Sequence, residues 1–247
     1  MSTLRTFTQA RVAVIGASGG IGSAFVEALQ VDPAIERIFA FSRSNVAWED
    51  NKTESGFIDL SDEASIRAAA ETASREGPLD LVIVATGILH HGDSLQPEKT
   101  LTELDPDMML EVLRANTVGP AIVAKHFLPI LPRDRKSVFA ALSARVGSIK
   151  DNRLGGWSSY RASKSALNML IKTLSIEHAR RFGKSAVVAL HPGTVDTALS
   201  KPFSRRVPDG QLFTSAKAAE HLLEVIDTVT PELTGAFLAW DGRRIDY

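Results

Sequence analysis

One stretch limits the folds open to this chain more than any other: Arg11 to Ile15 is a short β-branched run that ends in Gly16-Ala17-Ser18-Gly19-Gly20-Ile21-Gly22. Ile21, Ala24, Phe25, Ala28 and Leu29 then recur at helical spacing. The pattern predicts strand, glycine turn, helix. Glycines let the backbone turn tightly and come close to a ligand. The first N–H groups of the helix lack intrahelical partners and favour an anion there, such as a pyrophosphate. The spacing is Gly-x-x-x-Gly-x-Gly, not the common Gly-x-Gly-x-x-Gly of dinucleotide folds.

Strand and helix signals alternate from there onward. Six more strands are predicted, over 36–42, 56–60, 79–85, 136–142, 184–190 and 235–240. Leu79 to Ala85 is nearly all apolar, as a strand buried on both faces of a parallel sheet must be. Ser61, Asp105-Pro106, Ser158 or Ser159, and Thr214 carry helix-start chemistry. The helix after Ser159 is expected to stop at Gly183. The expected fold is α/β: a Rossmann-type, doubly wound, mostly parallel seven-stranded sheet with helices on both faces. Ligands bind such sheets at the carboxyl ends of the strands.

With 247 residues and 44% hydrophobic content, residues 1–247 are expected to form a single domain, and the glycine turn is what reads it as NAD(P)-binding. The aperiodic segment at about 194–213, which includes Phe203, Arg205 and Arg206, reads as a flap over the substrate. A net charge of −1 with dispersed basic residues gives no field for nucleic acid or an anionic membrane. Cysteine is absent, so thiol chemistry and disulfides are excluded, and no metal site is expected. No apolar run is long enough for a membrane span or a signal-peptide core, so a cytoplasmic protein is the default expectation.

Candidate chemistry gathers at the strand ends. Ser42-Arg43 stands where an NAD-preferring fold would place an acid for the adenosine ribose. A guanidinium there can bind a 2′-phosphate, which argues for NADP(H) over NAD(H). Asp59 reads as a helix cap or an adenine contact, and Ala85-Thr86-Gly87 as a small-residue turn for close approach. Pro120 removes the N–H that would bond the Asn116 carbonyl, so the helix should bend and that carbonyl could hold a water.

Tyr160 and Lys164 stand at i and i+4 and share a helix face. A cation about 4 Å from a phenol contributes roughly 4 kcal/mol, or about 3 pKa units. The phenol is then expected near neutrality, ready to exchange a proton with a carbonyl oxygen or an alcohol.

The ordered set Gly16-x-x-x-Gly20-x-Gly22, Ala85-Thr86-Gly87, Asn116, Ser143, Tyr160-x-x-x-Lys164 and Pro192-Gly193-x-Val195-x-Thr197 resembles the short-chain dehydrogenase/reductase family over nearly the whole chain. Residues 142–168 look like the branch of sniffer-type carbonyl reductases and bacterial C-factor signalling proteins. The resemblance implies Tyr160 as general acid/base, Lys164 on the nicotinamide ribose, Asn116 on a relay water and Ser143 on the substrate oxygen. Gly16, Ser18, Gly19, Gly20, Ile21 and Gly22 would surround the pyrophosphate, Asp59 and Leu60 the adenine, and Val195 and Thr197 the carboxamide. Ala144 stands where the family often has its catalytic serine, which leaves Ser143 assigned and Ser148 in reserve. Leu89, Ile149, Leu154, Trp157, Leu199 and Phe203 are the candidate pocket residues. A small carbonyl or alcohol substrate and a homodimer or homotetramer are implied. A nucleotide-binding signalling protein without turnover is the alternative.

Overall fold

A computed structural model describes residues 2–44, 46–92, 94–201 and 212–247. Its strands are β1 (Ala10–Ile15), β2 (Ile35–Ser42), β3 (Thr53–Phe57), β4 (Leu81–Val84), β5 (Ser137–Leu142), β6 (Ser185–His191), the short β7 (Thr194–Val195) and β8 (Leu212–Phe213), and β9 (Phe237–Ala239). The helices are α1 (Gly20–Gln30), α2 (Glu63–Ser74), α3 (Pro106–Leu113), α4 (Gly119–Phe127), α5 (Ser158–Ala179) and α6 (Ser215–Thr228). Seven strands form one sheet in the order β3-β2-β1-β4-β5-β6-β9, and β7 pairs with β8 separately. Every neighbouring pair in the large sheet is parallel, so the expectation of a mostly parallel sheet is met in full. The order reverses between β1 and β4, and a crevice opens there at the carboxyl ends.

Alternation along each strand assigns its side chains to two cores. Val12, Val14, Leu81, Ile83, Val138 and Ala140 pack with Phe25 and Leu29 of α1 and Leu222 and Ile226 of α6. Ala13, Ile15, Val82, Val84, Phe139 and Ala141 pack on the other face with Ile66 of α2, Phe127 of α4 and Leu167 and Ile171 of α5. Each large apolar side chain buried this way contributes about 1.5–3 kcal/mol. The sheet is thereby a rigid floor for whatever its strand ends carry.

Three local readings are corrected. β3 runs over Thr53–Phe57, not 56–60, because it is a half-exposed edge strand with little apolar signal. Gly56 lies under Phe41, where a Cβ would come within 2.4 Å of the ring. Asp59 and Leu60 therefore fall beyond the strand: the Asp59 carboxylate accepts from the Ser61 N–H at 2.9 Å, and Asp62, not Ser61, caps α2 by accepting from the Ala64 N–H. Second, α5 ends at Ala179, short of Gly183, because Phe182 turns inward to stack on His178 at 4.1 Å between centroids. Third, neither Ser158 nor Ser159 caps α5; Trp157 precedes it in the left-handed region at φ 53°, ψ 43°.

The bend expected at Pro120 takes the form of a π turn over Arg114–Val118, where the Gly119 N–H reaches back to the Arg114 carbonyl. Such widened turns release the ordinary ladder at one point in a helix. Asp105 and Thr214 cap α3 and α6 as their sequences predict. Among the described residues, no helix is long and apolar enough to cross a membrane, and no group of His, Cys, Asp or Glu could hold a metal ion.

Candidate active site

Two cavities meet at the β4 end. One, of about 360 Å³, is lined by Gly19, Gly20, Ile21, Leu142, Ser143, Tyr160, Lys164, Pro192 and Thr197. The other, of about 430 Å³, is lined by Gly16, Ser18, Gly19, Ser42, Arg43, Asp59, Leu60 and Arg114. Ala85, Thr86, Gly87 and Ile88 line both, so the two form one trough across the switch point.

The backbone shapes this trough. Gly16 has φ +91°, and a Cβ on it would stand 2.8 Å from Thr86 Cγ2 and 2.9 Å from the Ala85 carbonyl. A Cβ on Gly87 would come within 3.2 Å of Asn116 Oδ1 and 3.3 Å of Lys164 Nζ. Gly22 is different: it lies beneath the turn, outside the trough wall, and its Cβ would meet the Gly16 carbonyl at 2.0 Å. Its lack of a side chain lets the helix pack against the turn. Helix α1 has no side-chain cap and no acid in its first turn, so its N-terminus presents an undiluted positive end.

A dinucleotide fits these residues. Thr86 Oγ1 is buried on the trough with no hydrogen-bond partner among the described residues, a donor and acceptor that a ligand would satisfy. Arg43 stands at the far end beside Asp59, whose carboxyl is held below its usual range by the Ser61 hydrogen bonds and by the guanidinium charge.

Side chains fix the reacting end. Asn116, fully buried, accepts from the Ile88 N–H at 2.7 Å and donates to the Ile88 carbonyl at 2.8 Å and to Ser163 Oγ at 3.1 Å. Lys164 donates to the Leu142 carbonyl at 3.0 Å. Ser143 donates to Asn168 Oδ1 at 2.7 Å and faces the same cavity as Tyr160. Ser148, the other candidate, does not line that cavity and donates to the Asp246 carbonyl. Asn168 completes an i, i+4, i+8 row with Tyr160 and Lys164, a spacing visible in the sequence.

A further residue was beyond any sequence signal. Glu98, 4% exposed, accepts from the Ser159 N–H at 3.2 and 3.3 Å through its two carboxylate oxygens and from the Ser159 hydroxyl. Its backbone carbonyl also accepts from the Trp157 N–H at 2.5 Å. Glu98 thus caps α5 from a distant loop and holds Trp157 edge-on to Tyr160, 6.4 Å between centroids.

The electrostatics reverse the simple i,i+4 expectation. Burial pushes the Tyr160 phenol up to about 12 and the Lys164 ammonium down to about 8. The reason is geometric: Lys164 Nζ is 5.9 Å from the Tyr160 ring centroid and spends a hydrogen bond on the Leu142 carbonyl, while both side chains are desolvated. In the protein alone the phenol therefore stays protonated near pH 7, and desolvation outweighs the cation.

A third cavity, of about 680 Å³, opens from Ser143 and Tyr160 toward solvent and is lined by Leu89, Leu154, Trp157, Leu199 and Val195, among others. Ile149 is 75% exposed and stands outside that wall. Phe203, and with it residues 202–211 of the expected flap, lies outside the described residues.

Residues 10–207 match the family model for short chain dehydrogenases. A 1-hydroxy-2-glutathionyl-2-methyl-3-butene dehydrogenase of Rhodococcus sp. (strain AD45) is 32% identical over 239 residues, 96% of this chain and 99% of that protein. C-signal of Myxococcus xanthus is 30% identical over 172 residues, 69% of this chain and 94% of that protein. Among solved structures, an NADPH-bound carbonyl reductase from chicken fatty liver superposes with a TM-score of 0.82 at 27% identity, covering 97% of this chain and 95% of that one.

Proposed function

This chain belongs to the short-chain dehydrogenase/reductase family of oxidoreductases, and from that premise we propose that it reduces a ketone or aldehyde with NADPH, or oxidises the corresponding alcohol, using Tyr160 as general acid/base. One observation carries the reading: Ser143, Tyr160 and Lys164 line the same cavity as the glycine turn Gly19-Gly20-Ile21. A pure nucleotide binder has no use for a buried phenol and ammonium at that point.

Bound in the trough, NADPH would supply the hydride for the carbonyl carbon. The glycine turn and the α1 N-terminus would hold its pyrophosphate, Thr86 and the Ala85–Gly87 backbone its middle, and Arg43 a 2′-phosphate. The similar chicken carbonyl reductase with NADPH bound supports that preference. Ser143, turning its one proton away from Asn168 Oδ1, would donate to the substrate oxygen, and Tyr160 would pass its proton to that oxygen as negative charge develops. A phenol that stays protonated at neutral pH suits the acid role in reduction. Lys164, fixed against Leu142, would favour the phenolate left behind, and Asn116 would hold the β4 end and α5 together through Ile88 and Ser163.

The test is consumption of NADPH against NADH over a panel of aldehydes and ketones, with glutathionylated alcohols in the oxidative direction. The Rhodococcus relative's name motivates that last group. The reading predicts carbonyl-dependent consumption of NADPH in preference to NADH; nucleotide binding with no turnover on any member would defeat it.

A further inference from the structure

Beyond the reacting groups, the 680 Å³ cavity has a wall whose charge the reaction does not require. Among the described residues that line it, Arg145, Arg153 and Arg161 meet a single carboxylate, Asp151. His191, also on the wall, adds no charge at neutral pH, since burial and the Arg145 charge push it down to about 4.

The three arginines have different duties. Arg161 is committed to the chain: it donates to the carbonyls of Gly156 at 2.9 Å, Gly155 at 3.1 Å and Val146 at 3.2 Å, tying the two sides of the mouth together. Its charge stays while three of its five donors are used. Arg145, 55% exposed, pairs with Asp151 at 3.1 Å. An exposed pair of this kind holds weakly, about 0.2–1 kcal/mol, and exchanges readily. Arg153 is exposed and donates to the carbonyl of its neighbour Asn152 at 3.3 Å, leaving most of a five-donor fork for a ligand.

One side of the wall is apolar. Leu89, Val146, Trp157 and Leu199 line the cavity, and Leu154 stands at its mouth 92% exposed. A cleft with one dominant sign of charge concentrates ligands of the opposite sign. Asp151 points to the group that suits it: one of its carboxylate oxygens already accepts from Arg145 Nη1 within the chain.

We propose that the substrates of this site are carbonyl or alcohol compounds with a partly apolar body and a carboxylate, which takes the place of Asp151 on Arg145 and engages Arg153. This deepens the oxidoreductase reading and rests on it for the word substrate, though its binding prediction stands without turnover.

The probes are 4-carboxybenzyl alcohol and its methyl ester, titrated calorimetrically into the protein saturated with NADPH, a pair that cannot exchange hydride. The acid is expected to bind about tenfold tighter than the ester. That advantage should shrink at about 0.5 M salt, where screening is complete within a few ångströms. It should vanish in the Arg145→Gln/Arg153→Gln double variant while ester binding is unchanged. Both side chains are exposed, and circular dichroism verifies that the variant folds. Equal behaviour of acid and ester, including no binding of either, or an advantage that survives the double substitution, overturns the proposal. Turnover of 4-carboxybenzaldehyde is scored separately. Acid-selective binding without NADPH consumption on this aldehyde or on any member of the carbonyl panel would sink the hydride-transfer reading and leave the carboxylate site standing.

Discussion

The nucleotide end of the trough is shaped by backbone, with Gly16, Gly19 and Gly87 standing where side chains would intrude, while the reacting end is shaped by side chains that reach across the chain. Glu98 grips Ser159, Asn116 grips Ser163 and Ser143 grips Asn168. The first kind of site is written into a few adjacent residues. The second exists only when distant segments have folded together. The two ends should therefore fail differently: substitutions at the reacting end should cost turnover while nucleotide binding survives, and substitutions in the glycine turn should cost stability and nucleotide affinity together.

Tyr160→Phe tests the separation most severely. Turnover should fall by about 10²–10⁴-fold, the usual contribution of a positioned proton donor. NADPH affinity, read by nucleotide fluorescence, should barely change. Comparable losses in both would mean that the two ends are one unit.

Glu98→Ala comes next. Misplacement of a reacting group by about 1 Å can cost up to about 10²-fold, and Glu98 fixes both the first turn of α5 and the Trp157 ring beside Tyr160. The loss should appear in kcat with the KM for NADPH unchanged, and Glu98→Gln, which can still accept from Ser159, should recover most of it. A variant that melts earlier but turns over normally would make Glu98 a structural cap and nothing more.

In the glycine turn, Gly22→Ala should destabilise by about 1–3 kcal/mol or more, as overpacking does, because its Cβ has the Gly16 carbonyl at 2.0 Å. Gly19→Ala, with 3.3 Å to the same oxygen, should unfold almost like the wild type yet bind NADPH more weakly. Thermal melts with and without nucleotide separate the two. Equal melting of both variants would remove the distinction between packing glycine and cradle glycine.

The same contrast explains what the sequence discloses. Strand, turn and helix around Gly16–Gly22 are legible because each depends on neighbours a few residues away. Tyr160 and Lys164 are legible because helical spacing sets them on one face. The bounds of β3 are not legible because Thr53-Glu54-Ser55-Gly56-Phe57 has almost no apolar alternation; it is held at the edge of the sheet by β2 and the Phe41 ring over Gly56. Glu98 was invisible because a lone glutamate before Lys99 carries no sign of the serine 61 positions away that it caps. The Tyr160 pKa went the wrong way for a related reason: spacing reveals a neighbouring charge, whereas desolvation depends on the whole fold.

That last point gives the smallest effect and the sharpest one to read. Lys164 is pushed down to about 8 and Tyr160 up to about 12, so raising the pH from 7 removes the ammonium long before the phenol ionises. The group whose charge is lost is the one proposed to favour the phenolate. In the reductive direction kcat/KM for NADPH, which reports on the free enzyme, should be level below about pH 8 and fall several-fold by about pH 9. Lys164→Arg keeps its charge throughout this range, so whatever activity it retains should not fall there. Stability follows the same titration with a defined sign. A lysine depressed in the folded state costs most where both states are protonated, below about 8, and that cost fades as pH climbs toward the unfolded value of 10.5. Lys164→Met should therefore raise the melting temperature of the nucleotide-free protein at pH 7, with a smaller gain at pH 10. A flat activity profile to pH 10 together with a pH-independent melting difference would show that nearby charge, not burial, sets the lysine, and the reacting end would then obey local rules as the glycine turn does.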